Sequence, residues 1–463
     1  MTGGGLVTAR HKRARWNVLV TVVCRSVPAS GDTDVVVVGG GLAGLAVALY
    51  LSRAGLRVTL HEKSGHCGGR ARTRTIDRFH FNLGPHALYC AGEGAAVLHD
   101  LGVRIEGNRP RRGAYAVRSG RFHTLPIGFV SLASTGLFRP LERLEAARCL
   151  NGLRTVDTRV LQNVPLSAWL QHTGTDVVRE FLEAIVRVST YTDAPDAMSA
   201  GAALEQVQRA LRGVLYVHGG WQTIVDQLRA SSQQAGVEIL VGSEVASVIA
   251  DRRLEGIQLV DGKIQRAPVV VLACGPREAQ ALAGTAGQGS ALAAAAAADP
   301  VQVSCFDVAL ERLPRPGALM ALGIDRPLFA SVHSAVARLA PVGGALIHVT
   351  RYGSIRTGTD VAVKGELQNL LDGLQPGWRR HVVYERFLPS MTVSHATVTA
   401  AKEGVRGRPD PVVPDAPGLY VVGDWVGPEG MLGDAALSSA RRAAGAILSS
   451  RGPRRDRDLE RPS

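Results

Sequence analysis

The sequence has no CxxC pair and no cysteine–histidine spacing of the kind that holds a metal. Its six cysteines, Cys24, Cys67, Cys90, Cys149, Cys274 and Cys305, are scattered singly, which argues against a disulfide scaffold and suits a reduced, cytoplasmic setting. Aromatic residues are scarce, at 5% of the 463 positions, and no basic stripe interleaves with them, so no nucleic-acid partner is expected. Membrane-spanning apolar runs are missing too. Leu125–Phe138 is mostly apolar and uncharged but too short to cross a bilayer. It reads as buried core, with a lipid-facing or tunnel segment as the alternative. The formal charge of +13 is concentrated at the ends: residues 1–30 carry five basic residues and no acid, and 451–463 a net +2. What is left in the body suits weak, peripheral attraction to the inner face of an anionic membrane. The apolar run Trp16–Cys24 is short for a secretory signal, so residues 1–31 read as a disordered or mis-assigned extension, and 451–463 as a flexible basic tail.

What the sequence does have is a complete nucleotide-binding unit near its start. Val35–Val38 is a buried parallel strand. Gly39, Gly41 and Gly44 follow as G-x-G-x-x-G, and Leu42–Arg53 is apolar at helical spacing until Gly55. Arg57–His61 is a second strand, ending at Glu62, 18 residues past Gly44. Each part has a physical role. Gly41 has no Cβ, so a pyrophosphate can approach the backbone, and Gly44 lets helix and strand pack closely. The helix start offers unpaired N–H groups to phosphate, among them those at Leu42 and Ala43. A carboxylate at Glu62 can accept ribose hydroxyls.

Beyond Glu62 and Lys63 comes Gly68-Gly69-Arg70-x-x-Thr73. Near the C-terminus Val421-Val422-Gly423-Asp424 precedes a loop and the small-residue helix that starts around Gly430-Met431-Leu432. With these motifs the chain resembles the flavin amine oxidase superfamily, and within it the carotenoid (phytoene) desaturase-like branch. The resemblance runs over about residues 33–447, strong in the cofactor motifs and diffuse between them. It implies FAD as cofactor, with Arg70 on the pyrophosphate, Asp424 on the ribityl chain or pyrophosphate, and the helix start at Gly430, Met431 and Leu432 facing the flavin C2 carbonyl. Gly219-Gly220-Trp221 matches a further family element, and the backbone at Val245 is placed against adenine. The implied cofactor-binding set is Gly39, Gly41, Leu42, Ala43, Gly44, Glu62, Lys63, Gly68, Gly69, Arg70, Val245, Gly423, Asp424, Gly430, Met431 and Leu432.

The expected fold is α/β: a Rossmann-like FAD-binding domain of the GR2 type interleaved with an α+β substrate domain. The cofactor pieces are 32–90, 214–280 and 385–450, and the substrate pieces 91–213 and 281–384. The alanine-rich run 290–298 is expected to be helical. His86, in the stretch that the family places beside the flavin, is the candidate catalytic residue, with a packed, hydrogen-bonded histidine as the alternative.

The branch fixes the expected chemistry. The loop 426–431 lacks the aromatic residue of a monoamine-oxidase cage, and no cysteine follows Cys305 to tether a flavin. Lys364 and Lys402 are the candidates for a lysine that holds water at flavin N5. The balance favours a phytoene dehydrogenase-like enzyme that desaturates an apolar polyene or isoprenoid by hydride transfer to flavin N5. An amine or protoporphyrinogen oxidase and a redox-neutral flavin isomerase stay open, and the oligomeric state is unspecified.

Overall fold

Val35–Val38 is the central strand of a five-stranded parallel sheet, and all four valines are buried, as a strand covered on both faces requires. On one side it pairs with Val58–Glu62, which pairs with Glu238–Val241; on the other lie Val270–Leu272 and then Leu419–Val421. The sheet is thus assembled from stretches spread over most of the chain. The computed structural model describes residues 33–451 apart from 111–112, 173, 252, 285–288 and 354–358. The expectations for residues 1–31 and 452–463 lie outside the described residues.

Helix Leu42–Arg53 covers one face of this sheet together with Gln222–Gln234 and the long C-terminal helix Leu432–Ser450. Leu45, Leu49, Ile224, Leu228, Leu437 and Ala440 close one apolar cluster there. Alanines at 440, 443 and 444 keep the last helix slim on the side that meets Leu42–Arg53. The opposite face carries an antiparallel meander, Val245–Ala250, Leu254–Leu259 and Ile264–Arg266, which packs on Val36, Val38 and Leu272. Its second turn falls at Asp261–Lys263, as expected, and the Asp261 carboxylate accepts the Lys263 N–H at 3.1 Å. Residues Ser290–Ala296 are helical, also as expected.

The stretches expected to form the substrate side are built on a seven-stranded mixed sheet in the order Val382–Ser394, Val301–Leu310, Ala345–Tyr352, Leu328–Val332, Met320–Gly323, Ala114–Arg118 and Arg121–Thr124. Helix Asp360–Leu374 packs on one face, through Leu367 and Leu371 against Phe306 and Ile347. Helices Asp176–Thr190 and Ala200–Leu211 pack on the other, through Phe181 and Leu204 against Val303 and Tyr352. Strand Val382–Ser394, most of it grouped by sequence with the cofactor pieces, pairs with Val301–Leu310 and so forms an edge of this second sheet.

The Leu125–Phe138 stretch is not uniformly core. Leu125, Leu137 and Phe138 are buried, whereas Ile127, Phe129 and Val130 are exposed. The pattern follows from the short helix Phe129–Ser134, which lies on the surface and buries none of its residues fully. Among the described residues no helix is long and apolar enough to cross a membrane.

Candidate active site

A cleft of about 620 Å³ runs along the C-terminal ends of the parallel strands and on toward the second sheet. This is where ligands bind in open α/β sheets, because strand ends and helix starts converge there. Two helices begin at its wall, Leu42–Arg53 after Gly41 and Leu432–Ser450 after Met431, and neither has a side-chain cap. Their first N–H groups therefore remain as donors. A Cβ at Gly41 would meet no atom within 4 Å, so a side chain there would project into open space beside the cleft. Gly44 is different: its Cβ would sit 1.9 Å from the Gly39 carbonyl oxygen. Gly44 therefore holds helix to strand and does not line the cleft.

At one end, Glu62 closes its strand with both carboxylate oxygens engaged. Oε2 accepts the Gly40 N–H at 2.7 Å, and Oε1 accepts the Ser64 N–H at 2.9 Å and its hydroxyl at 2.7 Å. These bonds fix the carboxylate at the cleft wall with lone pairs left for hydroxyl donors. Lys63 also lines the cleft, but its Nζ donates to Glu278 at 3.0 Å. Val245, Cys274 and Leu282 belong to the apolar cluster beneath the meander and line the same end.

In the middle stands the buried Asp424 carboxylate. Arg70 donates to it through both terminal nitrogens at 2.8 Å, the planar two-point geometry guanidinium is built for. His395 adds its backbone N–H and Nδ1, each at 3.0 Å. Burial opposes ionisation here, yet Arg70 and then His395 hold the Asp424 carboxyl well below the usual carboxylate range. Arg70 also donates to the Val393 carbonyl at 2.8 Å and lies 3.1 Å from His395 Nδ1, so its guanidinium is held on several sides while about a third of the side chain (37%) stays open to the cleft.

The far end is apolar. Tyr191, Met391 and Leu432 line it and belong to the cluster of the substrate-side helices. Both Tyr191 and Leu432 hold left-handed backbone conformations, at φ 60° and 55°. Non-glycine residues keep such conformations only where the surroundings enforce them, commonly at functional sites. His86 also lies here. Its Nδ1 is 3.1 Å from the Gly84 carbonyl and its Nε2 3.2 Å from the Arg70 carbonyl, with the Trp221 ring edge-on at 5.2 Å. Burial lowers its pKa, and a neutral imidazole has only one N–H to give to the two carbonyls.

The structure thus brings thirteen of the sixteen expected cofactor residues to one cleft; Gly44, Gly430 and Met431 stand behind its wall. Gly430 accepts Arg408 through its carbonyl, and Met431 is buried among the substrate-side helices. Thr73 of the GG-R-x-x-T element serves as a tie. Its hydroxyl donates to Asn82 Oδ1 at 2.6 Å and accepts the Gln222 N–H at 3.1 Å, joining this element to Gly219-Gly220-Trp221. Lys364 pairs with Glu385 and Lys402 with the Ala294 carbonyl, and neither reaches the cleft. Residues not anticipated are His395, Tyr191, Met391, Glu278 and Asp434. The Asp434 carboxyl is pushed up to about 7 by burial and the neighbouring Glu93, and it accepts the Gly94 N–H at 3.0 Å.

The family described as flavin containing amine oxidoreductase matches residues 42–310, more than half of the chain. The chain belongs to this family. Like its other members it is an FAD-dependent oxidoreductase. It is 23% identical over 282 residues to the 4,4'-diaponeurosporene oxygenase of Staphylococcus aureus (strain USA300), a match covering 51% of this chain and 54% of that protein. The chain thus spans about half the length of the curated relatives it matches. In fold it is similar to an oxidoreductase from Methanosarcina mazei, at TM-score 0.71 and 21% identity over 90% of this chain and 100% of the other. It is also similar to putrescine oxidase bound to putrescine, at TM-score 0.69 and 16% identity over 90% and 99%.

The cleft fits FAD. The Glu62 carboxylate suits a ribose, the open space at Gly41 with the helix start beside it and the partly exposed Arg70 suit a pyrophosphate, and the second uncapped helix start suits a pyrimidine carbonyl. The buried Trp221 Nε1, which has no partner among the described residues, adds a donor at the wall. Glu62→Ala removes an acceptor fixed where the resemblance places the ribose. We expect FAD affinity to fall roughly tenfold to a hundredfold, as for the loss of one or two charge-assisted hydrogen bonds. Flavin fluorescence titration of the apoprotein reads this directly; unchanged affinity would place the ribose elsewhere.

Proposed function

We propose that this oxidoreductase desaturates an apolar polyene or isoprenoid chain. One observation carries the proposal: one end of the cleft is walled by Leu83, Pro85, Tyr191, Met391 and Leu432, and Asp434, the acidic lining residue beside Leu432, is buried with its carboxyl turned to the Gly94 N–H. Such a wall binds hydrocarbon by excluding water and offers an amine no counter-charge. The half-length similarity to a protein named 4,4'-diaponeurosporene oxygenase supports the same substrate class.

FAD, when bound, supplies the two-electron acceptor that desaturation needs. The side chains then have to position and seal. Tyr191, whose hydroxyl donates to the Pro85 carbonyl at 2.9 Å, fixes one wall, and Met391 adapts to the chain beside it. His86, with its nitrogens against two carbonyls, serves as a wall and a brace for the Arg70 backbone rather than as an acid or base. Arg70, Asp424 and His395 bond to one another and so hold the middle of the cleft in a preorganised arrangement.

The test is the visible spectrum of the purified protein, followed by organic extraction and mass analysis. Bound flavin together with a co-purifying polyene or isoprenoid is the expected result. Flavin without lipid, and peroxide release on adding putrescine, would favour amine oxidation and overturn the proposal.

A further inference from the structure

The surface around helices Phe129–Ser134 and Pro140–Leu153 presents large apolar side chains to solvent. Phe129 is 89% exposed, Leu141 83%, Val130 78% and Ile127 68%. These are not scattered singles. Arg143 donates to the carbonyls of Ala133 and Thr135, both at 2.8 Å, and so clamps the end of the first helix beside the start of the second. Leu141 and Leu144 are three apart on the second helix and share one face, which Arg148 extends by another turn. Contiguous exposed apolar side chains of this kind mark an interaction site rather than ordinary surface.

The charges around the patch are mostly positive. Residues 118–154 contain six arginines against two glutamates. Both glutamates are engaged with backbone: Glu142 accepts the Arg139 N–H at 2.6 Å, and Glu145 the Thr175 N–H at 3.1 Å. Arg121, Arg139 and Arg148 remain exposed. An apolar face rimmed by exposed guanidinium groups has the composition of a helix that lies in a headgroup layer, its apolar side among acyl chains and its cations on lipid phosphates.

We infer that this face docks the protein on an anionic lipid surface, as a peripheral contact without a spanning segment. Beneath the patch, Leu132, Leu137 and Phe138 belong to the same apolar cluster as Tyr191, Met391 and Leu432 at the substrate end of the cleft. Docking would therefore place a hydrocarbon-lined route next to the phase in which an apolar substrate dissolves. The docking itself stands on exposure and charge alone. Its test involves no turnover, so its failure and a failure of the desaturase proposal are separable.

The experiment is co-sedimentation of the full-length holoprotein with vesicles of phosphatidylcholine alone and of phosphatidylcholine mixed equally with phosphatidylglycerol. Binding to the mixed vesicles is expected, falling as salt rises. The double variants Phe129→Ser/Val130→Ser and Arg139→Gln/Arg148→Gln should each weaken it by roughly tenfold or more. Both should keep their flavin spectrum, which shows that they are folded. Binding that is equal in wild type and variants would assign the attraction to the basic chain ends and overturn the inference. So would a wild type that ignores vesicles, or one that dimerises through this face so that the variants become monomeric.

Discussion

Gly41→Asp should give a folded protein without colour. The substitution puts a side chain and a negative charge into the space that adjoins the start of helix Leu42–Arg53, where a pyrophosphate would lie. Among the described residues no atom beyond its chain neighbours lies within 4 Å of the position that the new Cβ takes, so stability should change little while FAD affinity falls by more than roughly a hundredfold. Gly44→Ala is the contrasting control. Its methyl group would meet the Gly39 carbonyl oxygen at 1.9 Å, forcing helix and strand apart. It should destabilise the apoprotein by about 1–3 kcal/mol and lose flavin as a consequence. Thermal unfolding of the two apoproteins, alongside flavin content, separates a blocked site from a broken fold. A yellow Gly41→Asp protein would show that the phosphates lie elsewhere.

The second large effect is on stability. Inside the seven-stranded sheet, behind the substrate end of the cleft, Asp307 is fully buried. Its Oδ1 accepts His348 Nδ1 at 2.6 Å and the Cys305 thiol at 3.1 Å, and its Oδ2 is held by Arg386. Burial opposes ionisation, but the His348 and Arg386 contacts pull the carboxyl down to about 2. Arg386→Ala would remove the cation from Oδ2 and leave the buried charge with only its Oδ1 partners, and we expect a loss of about 3–5 kcal/mol in urea unfolding. Pairing it with Asp307→Asn, which removes the charge as well, should recover part of the loss. No recovery would mean that Arg386 matters for packing alone. The pH dependence has a definite sign. A carboxyl with a folded pKa below its unfolded value of about 4 stabilises the fold above that value. The contribution from Asp307 should therefore disappear as pH falls from about 4 toward 2. Above pH 5 it should be constant.

Local patterns were legible in the sequence, and distant pairings were not. The strand, three glycines, helix and acidic residue between Val35 and Glu62 occupy fewer than thirty consecutive positions, and each has a periodic or steric reason to be where it is. Arg70 and Asp424 were each readable from their own motifs, but their two-point bond joins residues 354 apart. Once formed, it makes Asp424 chiefly the partner of Arg70. His395 carries no motif at all; it reaches the cleft because it directly follows the long edge strand Val382–Ser394. Asp307 and His348 sit singly in the apolar strands Val301–Leu310 and Ala345–Tyr352, and only the register, which sets them opposite each other, explains how two polar groups can be buried there. The Leu125–Phe138 stretch shows the limit of hydropathy. Fourteen apolar-rich residues look alike in sequence whether they point into the core, as Leu137 does, or into solvent, as Phe129 does.

The most direct test of the central claim is anaerobic mixing of the flavin-loaded protein with a substrate while the visible flavin band is followed. An acyclic polyene presented in lipid vesicles should bleach the band and leave a product two hydrogens lighter, while putrescine should leave the band unchanged. Bleaching by putrescine but not by the polyene would contradict the assignment of the Tyr191–Met391–Leu432 end of the cleft to a hydrocarbon substrate.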